Sequence, residues 1–302
     1  MVNTDFLLFG GTASLALARQ IAMARCFGQS LGVVDLQRFS DGEMRPTLQQ
    51  NVQGKSVCVV QSTAAPADRL MELLLILNAA RRAGARRLAA LVPYAGYGRQ
   101  DKMHTARSAL GAELHDQLIA SAGAHHLLVC DPHAEASFPT YGMKRRIVSA
   151  FALLAKHIDT LSISNLLFAA PDAGAYVHAQ RYATHFGTAW VKCCKQRTGR
   201  DSVQVQCTSS LVRNANVVLI DDMIDTAGTI CAAAQCLKQQ GAQSVRACCT
   251  HLVLSGEAHQ RIENSVLKEV IATDTLQQTG LSQKYTVLTM ADVFAEALEV
   301  LI

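Results

Sequence analysis

The sequence predicts an α/β protein of two tandem domains, each a mainly parallel sheet flanked by helices. Short apolar runs alternate with helix-like patterns along the whole chain, and this alternation is typical of strands joined by crossover helices. The 302 residues suffice for two domains of about 150 residues each. A weak internal echo favours two copies of one fold. The predicted domains are residues 1–147 and 148–302.

The first half contains four apolar runs of strand length, separated by helical periodicity. The predicted strands are 6–9, 55–61, 87–93 and 126–130, and the predicted helices are 14–27, 68–83 and 111–121. The second half repeats this style. Its predicted strands are 165–170, 188–191, 202–206, 217–220, 244–252, 269–273 and 285–288, and its predicted helices are 175–186, 230–240, 256–264 and 291–301.

The internal echo aligns three features of each half in the same order. A strand leads into a small polar loop at 61–63 and again at 171–174. A second strand leads into a loop with glycine and basic residues at 94–102 and at 192–201. The apolar strand that follows ends on an aspartate in both halves. This alignment predicts which loops of the two domains are equivalent.

Composition restricts the class of protein. Half of the residues are hydrophobic and 17% are charged, which fits a globular chain. The net charge of +4 is dispersed, so no nucleic-acid partner is predicted. We find no apolar run of membrane-spanning length and no signal peptide, so we expect a cytoplasmic protein without a membrane partner. The ten cysteines lack zinc-type spacing, and we expect reduced thiols.

The stretch 217–229 carries the strongest functional signal. Its apolar run predicts a buried strand that ends at two adjacent carboxylates, Asp221 and Asp222. A turn of small residues then enters a helix, and its free backbone N–H groups offer a seat for a phosphate. The residues of this turn are Asp225, Thr226, Ala227, Gly228 and Thr229. The two carboxylates can accept hydrogen bonds from sugar hydroxyls or help to hold a cation. The alternative is an ordinary turn with a solvated acidic pair.

Two stretches of the first half suit a nucleotide. The segment 39–43 places the ring of Phe39 and two carboxylates around a glycine turn, where the ring can stack on a base. The alternative is an ordinary Asp-Gly turn. The segment 93–101 combines flexible glycines with Arg99, which can bind phosphate oxygens in a bidentate pair, and Gln100, which can hydrogen-bond a base. The alternative is a surface loop with a solvated arginine.

Two further sets of residues suit metal binding and phosphoryl transfer. His133 and Asp172 each follow a predicted strand and together can bind Mg²⁺, partly through water. A lone histidine in such a loop is more often structural. Lys195 and Arg197 follow another strand and can close over a transferring phosphoryl group. The alternative for these two cations is a charged hairpin tip.

These motifs occur in one order over nearly the whole chain, and together they resemble the ribose-phosphate diphosphokinase (phosphoribosyl pyrophosphate synthetase) family. The resemblance implies two tandem type I phosphoribosyltransferase-like domains. It also implies homo-oligomers based on dimers, commonly gathered into hexamers. It implies Mg²⁺ as the cofactor, with His133 and Asp172 as its ligands, and Lys195 and Arg197 as the catalytic cations.

The resemblance also implies the two substrate sites. The implied ATP-binding residues are Phe39, Asp41, Gly42, Glu43, Arg99, Gln100 and Asp101. The implied ribose 5-phosphate-binding residues are Arg197, Asp221, Asp222, Asp225, Thr226, Ala227, Gly228 and Thr229. The implied reaction transfers the diphosphoryl group of ATP to the C1 hydroxyl of ribose 5-phosphate, giving 5-phosphoribosyl 1-diphosphate and AMP. A non-catalytic subunit that associates with such a synthetase, and a phosphoribosyltransferase, are the alternatives.

The chain departs from the usual family pattern at four positions, which are Gln53, Pro132, His178 and Ala227. Ala227 replaces a frequent glycine in the phosphate loop, and a positive φ at this position would be strained. Gln53 replaces an arginine associated with a regulatory site for phosphate and ADP. Pro132, next to His133, stands where the family commonly has leucine, and His178 occupies a position that often holds arginine. We expect the change at Gln53 to affect regulation and not the chemistry.

Overall fold

The computed structural model describes residues 5–24, 30–103, 105–133, 139–197, 203–206 and 209–299, with the backbone alone at 194–197 and 203–206. The chain forms two compact units. The first contains residues 1–149, 275–277 and 289–302, and the second contains residues 150–274 and 278–288. No helix in the described ranges is long and apolar enough to cross a membrane.

The first unit is built on a five-stranded sheet. Its strands, with those of a separate hairpin, are β1 (Phe6–Gly10), β2 (Val34–Arg38), β3 (Met44–Leu48), β4 (Ser56–Val60), β5 (Arg87–Val92), β6 (His126–Cys130) and β7 (Lys144–Val148). The sheet has the order β1-β4-β5-β6-β7, and every pair in it is parallel. After their first residue the central strands β4, β5 and β6 are apolar and buried, because helices cover both faces of such a sheet. In β4, for example, all five residues are buried.

The helices of the first unit are α1 (Leu15–Met23), α2 (Asp68–Arg82), α3 (Gly111–Ala122) and, from the end of the chain, α8 (Ala291–Glu299). Helix α2 buries Leu73, Ile76, Leu77 and Ala80, a stripe at the spacing of one helical face, in the core of this unit. Helix α3 ends at Gly123, whose φ of 114° needs a residue without a side chain.

The second unit has a six-stranded sheet and a second hairpin. Its strands are β8 (Leu166–Ala170), β9 (Trp190–Lys192), β10 (Cys194–Arg197), β11 (Val203–Gln206), β12 (Asn216–Ile224), β13 (Ser244–Leu252), β14 (Glu269–Thr273) and β15 (Tyr285–Leu288). Its helices are α4 (Phe151–Thr160), α5 (Tyr176–Phe186), α6 (Gly228–Gln239) and α7 (Ala258–Glu263). The sheet order is β15-β14-β13-β12-β8-β9, with all pairs parallel.

Two antiparallel hairpins stand apart from the sheets. Strands β2 and β3 pair in the first unit, and strands β10 and β11 pair in the second. Each hairpin precedes the strand that neighbours the first strand of its own sheet. The connection is therefore the same in both units.

The two units confirm the prediction of two copies of one fold, but the predicted alignment of their loops is wrong. Strand β1 corresponds to β8, and the isolated parallel bridge between Phe9 and Gly32 takes the place of the β8–β9 pair. Strands β4 to β7 then correspond to β12 to β15. The loop at 61–63 is thus the equivalent of the loop after β12, and not of 171–174. The sequence echo misled because it matched residue types without the strand order.

The division of the chain also differs from the predicted domains 1–147 and 148–302. The last helix, α8, belongs to the first unit, where Arg146 Nη1 donates to the carbonyl of Ala297 at 3.2 Å. Residues 275–277 belong there too, and Ser62 Oγ donates to the carbonyl of Thr275 at 2.7 Å. The order of residue types along the sequence does not show that residues 275–277 and helix α8 return to the first unit.

Several elements match their predicted bounds, whereas others were missed. Strands β6, β13, β14 and β15 begin and end as predicted. Strand β12 runs on to Ile224, so the acidic pair lies within the strand and not at its end. The sequence reading missed the hairpin β2–β3, strand β7 and helix α4. The strands β2, β3 and β7 are only partly buried or strongly charged, which hides their periodicity. Helix α4 does bury an apolar face, with Leu154, Ala155 and Ile158, but it falls at the predicted domain boundary and was not assigned.

Candidate active site

The crevice of the second unit lies where the sheet order reverses. From β8 the chain moves outward to β9, and from β12 it moves the other way to β13, β14 and β15. Loops at the carboxyl ends of the neighbouring strands β8 and β12 therefore diverge and leave an opening, which is where ligands bind in open α/β sheets. Asp172 follows β8, and Asp221 and Asp222 lie in the last part of β12.

The three carboxylates at this edge interact. The backbone N–H of Asp222 donates to Asp221 Oδ1 at 3.0 Å, and the N–H of Met223 donates to Asp222 Oδ1 at 2.9 Å. Burial raises the pKa of Asp221 well above its usual value, and the charges of Asp222 and Asp172 raise it further. The structure thus brings together three of the predicted site residues. Their mutual repulsion favours a cation, or a ligand rich in hydrogen-bond donors, at this place.

The loop after β12 enters α6 as predicted, with one unusual residue. Ala227 precedes the helix with a φ of 61° and a ψ of 1°. This is the left-handed region, which costs a residue with a side chain about 1–2 kcal/mol. The strain foreseen for an alanine at this position is therefore present. Ala227, which precedes α6, makes no side-chain cap hydrogen bond. Because the first N–H groups of an α-helix have no partner within the helix, this end of α6 suits an anion.

Gly228, the first residue of α6, leaves open space beside this loop. A Cβ built on Gly228 would meet one atom of the described residues within 4 Å, Thr226 Oγ1 at 3.8 Å. Its φ also lies outside the left-handed region. Neither packing nor backbone geometry therefore requires glycine here. Glycine also serves where a ligand must approach the backbone closely, and the open space beside Gly228 is compatible with that use.

Arg261 holds the phosphate loop and was not found from the sequence. Its Nη1 donates to the carbonyl of Thr226, and its Nη2 forms an ion pair with Glu257 at 3.7 Å. The guanidinium places positive charge next to the loop that is predicted to bind phosphate. Arg261 lies on α7, 35 residues from Thr226 in the chain, and no motif marks it.

The predicted catalytic cations lie on strand β10. Lys195 pairs with Val205 of β11, and Arg197 pairs with Val203. The hairpin follows β9, which is the neighbour of β8, so it leaves the sheet on the same side as the acidic site. Residues 198–202, which complete the predicted catalytic loop, lie outside the described residues.

The turn of the first hairpin holds the predicted base-stacking residue in an ordered position. The N–H of Phe39 donates to the carbonyl of Glu43 at 2.9 Å, and the N–H of Glu43 donates to Asp41 Oδ1 at 3.0 Å. Gly42 makes this turn with a φ of 94°. The Phe39 side chain is 49% exposed, and the guanidinium carbon of Arg45 lies 5.2 Å from its ring centroid. One face of the ring is thus backed by a cation, which leaves the other to a planar ligand.

The loop at 94–101 lies beside the predicted metal histidine. A Cβ built on Gly98 would be 3.9 Å from the Cβ of His133. Arg99, the next residue, and Gln100 are exposed, whereas Asp101 is partly buried. The structure therefore brings the predicted phosphate-binding arginine and His133 into one neighbourhood of the first unit.

Within the described ranges, three or more His, Cys, Asp or Glu side chains do not gather in an arrangement that would bind a metal by themselves. Mg²⁺ needs no such cage, because it usually takes one or two carboxylates together with substrate phosphates and water. The carboxylate oxygens of Asp172 and its acidic neighbours are the donors that Mg²⁺ prefers. The donor chemistry of this edge fits the ion.

Fold and site together define a class of protein. Both units share one parallel α/β topology with an inserted hairpin, and the second has an acidic strand followed by a loop of small residues that enters a helix. The N-terminal domain of ribose phosphate pyrophosphokinase matches residues 6–123, and the phosphoribosyl transferase domain matches residues 145–285. The chain is thus a tandem pair of phosphoribosyltransferase-type domains.

Full-length relatives narrow this class. A ribose-phosphate pyrophosphokinase of Campylobacter jejuni is 38% identical over 299 residues, covering 97% of this chain and 94% of the relative. One of Porphyromonas gingivalis is 36% identical, covering 98% and 95%. The crystal structure of phosphoribosylpyrophosphate synthetase from Mycobacterium smegmatis superimposes with a TM-score of 0.90 at 30% identity, covering 99% of both chains. The chain belongs to the ribose-phosphate pyrophosphokinase family, and it is an enzyme of that family.

Proposed function

We propose that this protein transfers the diphosphoryl group of ATP to the C1 hydroxyl of ribose 5-phosphate in a Mg²⁺-dependent reaction. The products are 5-phosphoribosyl 1-diphosphate, a precursor for nucleotide biosynthesis, and AMP. The observation that carries the proposal is the acidic pair of β12, followed by a loop of small residues that enters α6 with open space beside Gly228, at the point where the sheet order reverses. Carboxylates that suit sugar hydroxyls are followed along the chain by backbone N–H groups that suit a phosphate.

In this proposal ribose 5-phosphate is the ligand of the second unit. The 5-phosphate accepts hydrogen bonds from the loop Asp225–Thr229 at the positive end of α6. Asp221 and Asp222 accept hydrogen bonds from the ribose hydroxyls, which partly compensates the repulsion between them. Arg261 stabilises the loop through its hydrogen bond to the carbonyl of Thr226. Arg197, on the hairpin β10–β11, adds a positive charge.

ATP is the ligand of the motifs in the first unit. The adenine stacks on the free face of Phe39, and Asp41 and Glu43 accept hydrogen bonds from the nucleoside. Arg99 binds phosphate oxygens, and Gln100 and Asp101 are the remaining residues of the proposed ATP site. The exposure of Phe39 on a hairpin supports its reaching the site of a neighbouring subunit, in a homo-oligomer built from dimers.

The chemistry is positioning and charge neutralisation. The C1 hydroxyl attacks the β-phosphorus in line, the bond from that phosphorus to the α-phosphate oxygen breaks, and AMP leaves. Mg²⁺, when bound, neutralises the phosphate oxygens, and His133 and Asp172 are its proposed protein ligands. Lys195 and Arg197 stabilise the charge that develops on the transferred group. Lys195→Ala should lower kcat about 10²–10³-fold, and near-normal turnover would remove Lys195 from this role.

The direct test is an assay with purified protein, Mg-ATP and ribose 5-phosphate. The proposal predicts AMP and 5-phosphoribosyl 1-diphosphate in equal amounts, and neither product when ribose replaces ribose 5-phosphate. A folded protein that forms neither product, with or without added inorganic phosphate, would contradict it. An active wild-type protein would also exclude the role of a purely associated, non-catalytic subunit.

A further inference from the structure

A buried chain of polar side chains runs through the first unit beside the loop at 94–101. Thr63 Oγ1 lies 2.9 Å from His115 Nε2, and His115 Nδ1 lies 3.1 Å from Asp116 Oδ1. Asp116 Oδ2 lies 3.0 Å from Arg145 Nε. Thr63, His115 and Asp116 are 0%, 2% and 5% exposed. Buried polar groups are costly unless each is paired, so each side chain of this hydrogen-bonded network depends on the others.

The hydrogen bonds of this side-chain network have a consistent direction. A carboxylate only accepts, so Nδ1 of His115 donates to Asp116, and Arg145 compensates the charge of Asp116 as an ion pair. The contact with Arg145 is ionic, because its Nε–H does not align as a hydrogen bond. Nε2 of a neutral His115 then accepts the single proton of the Thr63 hydroxyl at 2.9 Å, in competition with the more distant carbonyl of Tyr94 at 3.3 Å. The geometry resembles a nucleophile–histidine–carboxylate triad, but Thr63 is completely buried and cannot reach a substrate.

The hydroxyl of Thr63 is also the anchor of the loop. The backbone N–H of Gly96 donates to Thr63 Oγ1 at 2.9 Å, and the N–H of Thr63 donates to the carbonyl of Tyr94 at 2.9 Å. A Cβ built on Gly96 would lie 2.0 Å from the carbonyl oxygen of Thr63. The loop therefore rests directly on the backbone of Thr63, and only glycine fits at this contact.

Helix α3 holds the other end of the same loop. The N–H of Ala112 donates to the carbonyl of Gln100 at 3.2 Å, and the side chain of Gln100 packs closely on Gly111. His115 lies one turn further along this helix. The five residues 96–100, including Arg99, are thus fixed at one end through Thr63 and His115 and at the other by the start of α3.

We infer that His115 is a positioning residue for the proposed ATP site, acting through Thr63 on Gly96 and so on Arg99 and Gln100. This inference rests on the proposed function, because it assigns the purpose of the loop to ATP binding. Loss of the Thr63–His115 contact lets the anchored end of the loop shift. A misplacement of about 1 Å in a positioning group costs on the order of 10²-fold in rate. Because His115 acts on the ATP-binding loop, we expect this loss to appear in KM for ATP, which should rise at least tenfold and so lower kcat/KM for ATP.

Two substitutions of His115 separate its two contacts. In His115→Gln the terminal amide takes the position of Nε2 and keeps the contact with Thr63. In His115→Asn the amide takes the position of Nδ1 and keeps only the contact with Asp116. Thr63→Val, which removes the hydroxyl at nearly constant volume, is an independent variant. His125→Gln is the matched control, because the Nδ1 of His125 accepts from the N–H of Leu88 at 3.0 Å in the same unit.

The experiment measures KM for ATP and for ribose 5-phosphate in each folded variant, with circular dichroism to verify folding. We expect His115→Asn and Thr63→Val to raise KM for ATP at least tenfold, with KM for ribose 5-phosphate within about twofold. We expect His115→Gln and His125→Gln to stay near wild type in both values. Equal values of KM for ATP in the Asn and Gln variants, or parallel shifts for both substrates, would overturn the inference. An inactive wild-type protein would instead reject the proposed function.

Discussion

Gly228→Ala should make the protein more stable and its sugar-phosphate site weaker. The new methyl meets one atom of the described residues, at 3.8 Å, and the backbone is not in the left-handed region. Replacing glycine by alanine at such a position stabilises by about 0.4–1 kcal/mol, because the unfolded chain loses conformational freedom. For a unit of this size that corresponds to a rise in Tm of roughly 1–4 °C.

The same methyl occupies the space in which the 5-phosphate is proposed to approach the N–H groups of α6. Hydrogen bonds to a charged group contribute about 1.5–3 kcal/mol each, so losing one should raise KM for ribose 5-phosphate roughly 10- to 100-fold. KM for ATP should stay near the wild-type value. Thermal unfolding and steady-state kinetics on one preparation measure both effects.

Gly187→Ala is the matched control in the same unit. Gly187 ends α5 with a φ of 64°, and no described atom lies within 4 Å of its built Cβ. The substitution should therefore lower Tm, because of the left-handed backbone, and leave both KM values unchanged. A Gly228→Ala variant that loses stability, or that keeps its affinity for ribose 5-phosphate, would refute the proposal that the 5-phosphate occupies the open space beside Gly228.

Three further predictions concern single residues. Arg261→Ala should raise KM for ribose 5-phosphate about 3- to 10-fold without changing KM for ATP, because the carbonyl of Thr226 loses its guanidinium partner; equal shifts for both substrates would contradict this. Asp221→Asn should raise Tm near pH 7 in EDTA, because burial and neighbouring charge raise its pKa and an ionised Asp221 therefore costs stability. The gain should shrink as the pH falls towards the ordinary aspartate pKa, and a lower Tm at pH 7 would be contrary to it. Burial raises the pKa of Cys248 to about 12, so iodoacetamide at pH 8 should leave Cys248 unmodified in native protein and label it in denaturant, as peptide mass spectrometry would report.

The parts of the fold that the sequence predicted well are those that one physical signal determines. Strand β13 is predicted to the residue because eight of its nine residues are buried, and such a run has no competing helical period. The loop between β12 and α6 lies where it was predicted, because small residues between a buried strand and a helical pattern mark the connection. The strain at Ala227 follows from the same local argument.

The parts that were missed depend on contacts between distant residues. Strand β3 alternates partly buried and exposed residues and contains Pro46, and no residue of β2 is fully buried, so the hairpin lacks a strong apolar run. Arg261 acts on a carbonyl 35 residues away. In the sequence nothing distinguishes His115 from other helical residues, because its contact with Thr63 forms only in the folded protein. The true equivalence of the two units required the strand order, because β4 and β12 share a place in the sheet but not a motif.

The proposed reaction requires that the sugar attack the β-phosphorus of ATP and not the γ-phosphorus. The test uses ATP labelled with ³²P at the β-position, together with ribose 5-phosphate and Mg²⁺. The proposed reaction puts the label into 5-phosphoribosyl 1-diphosphate and leaves AMP unlabelled. Label recovered in ADP, which is the outcome of ordinary γ-phosphoryl transfer, would contradict the account.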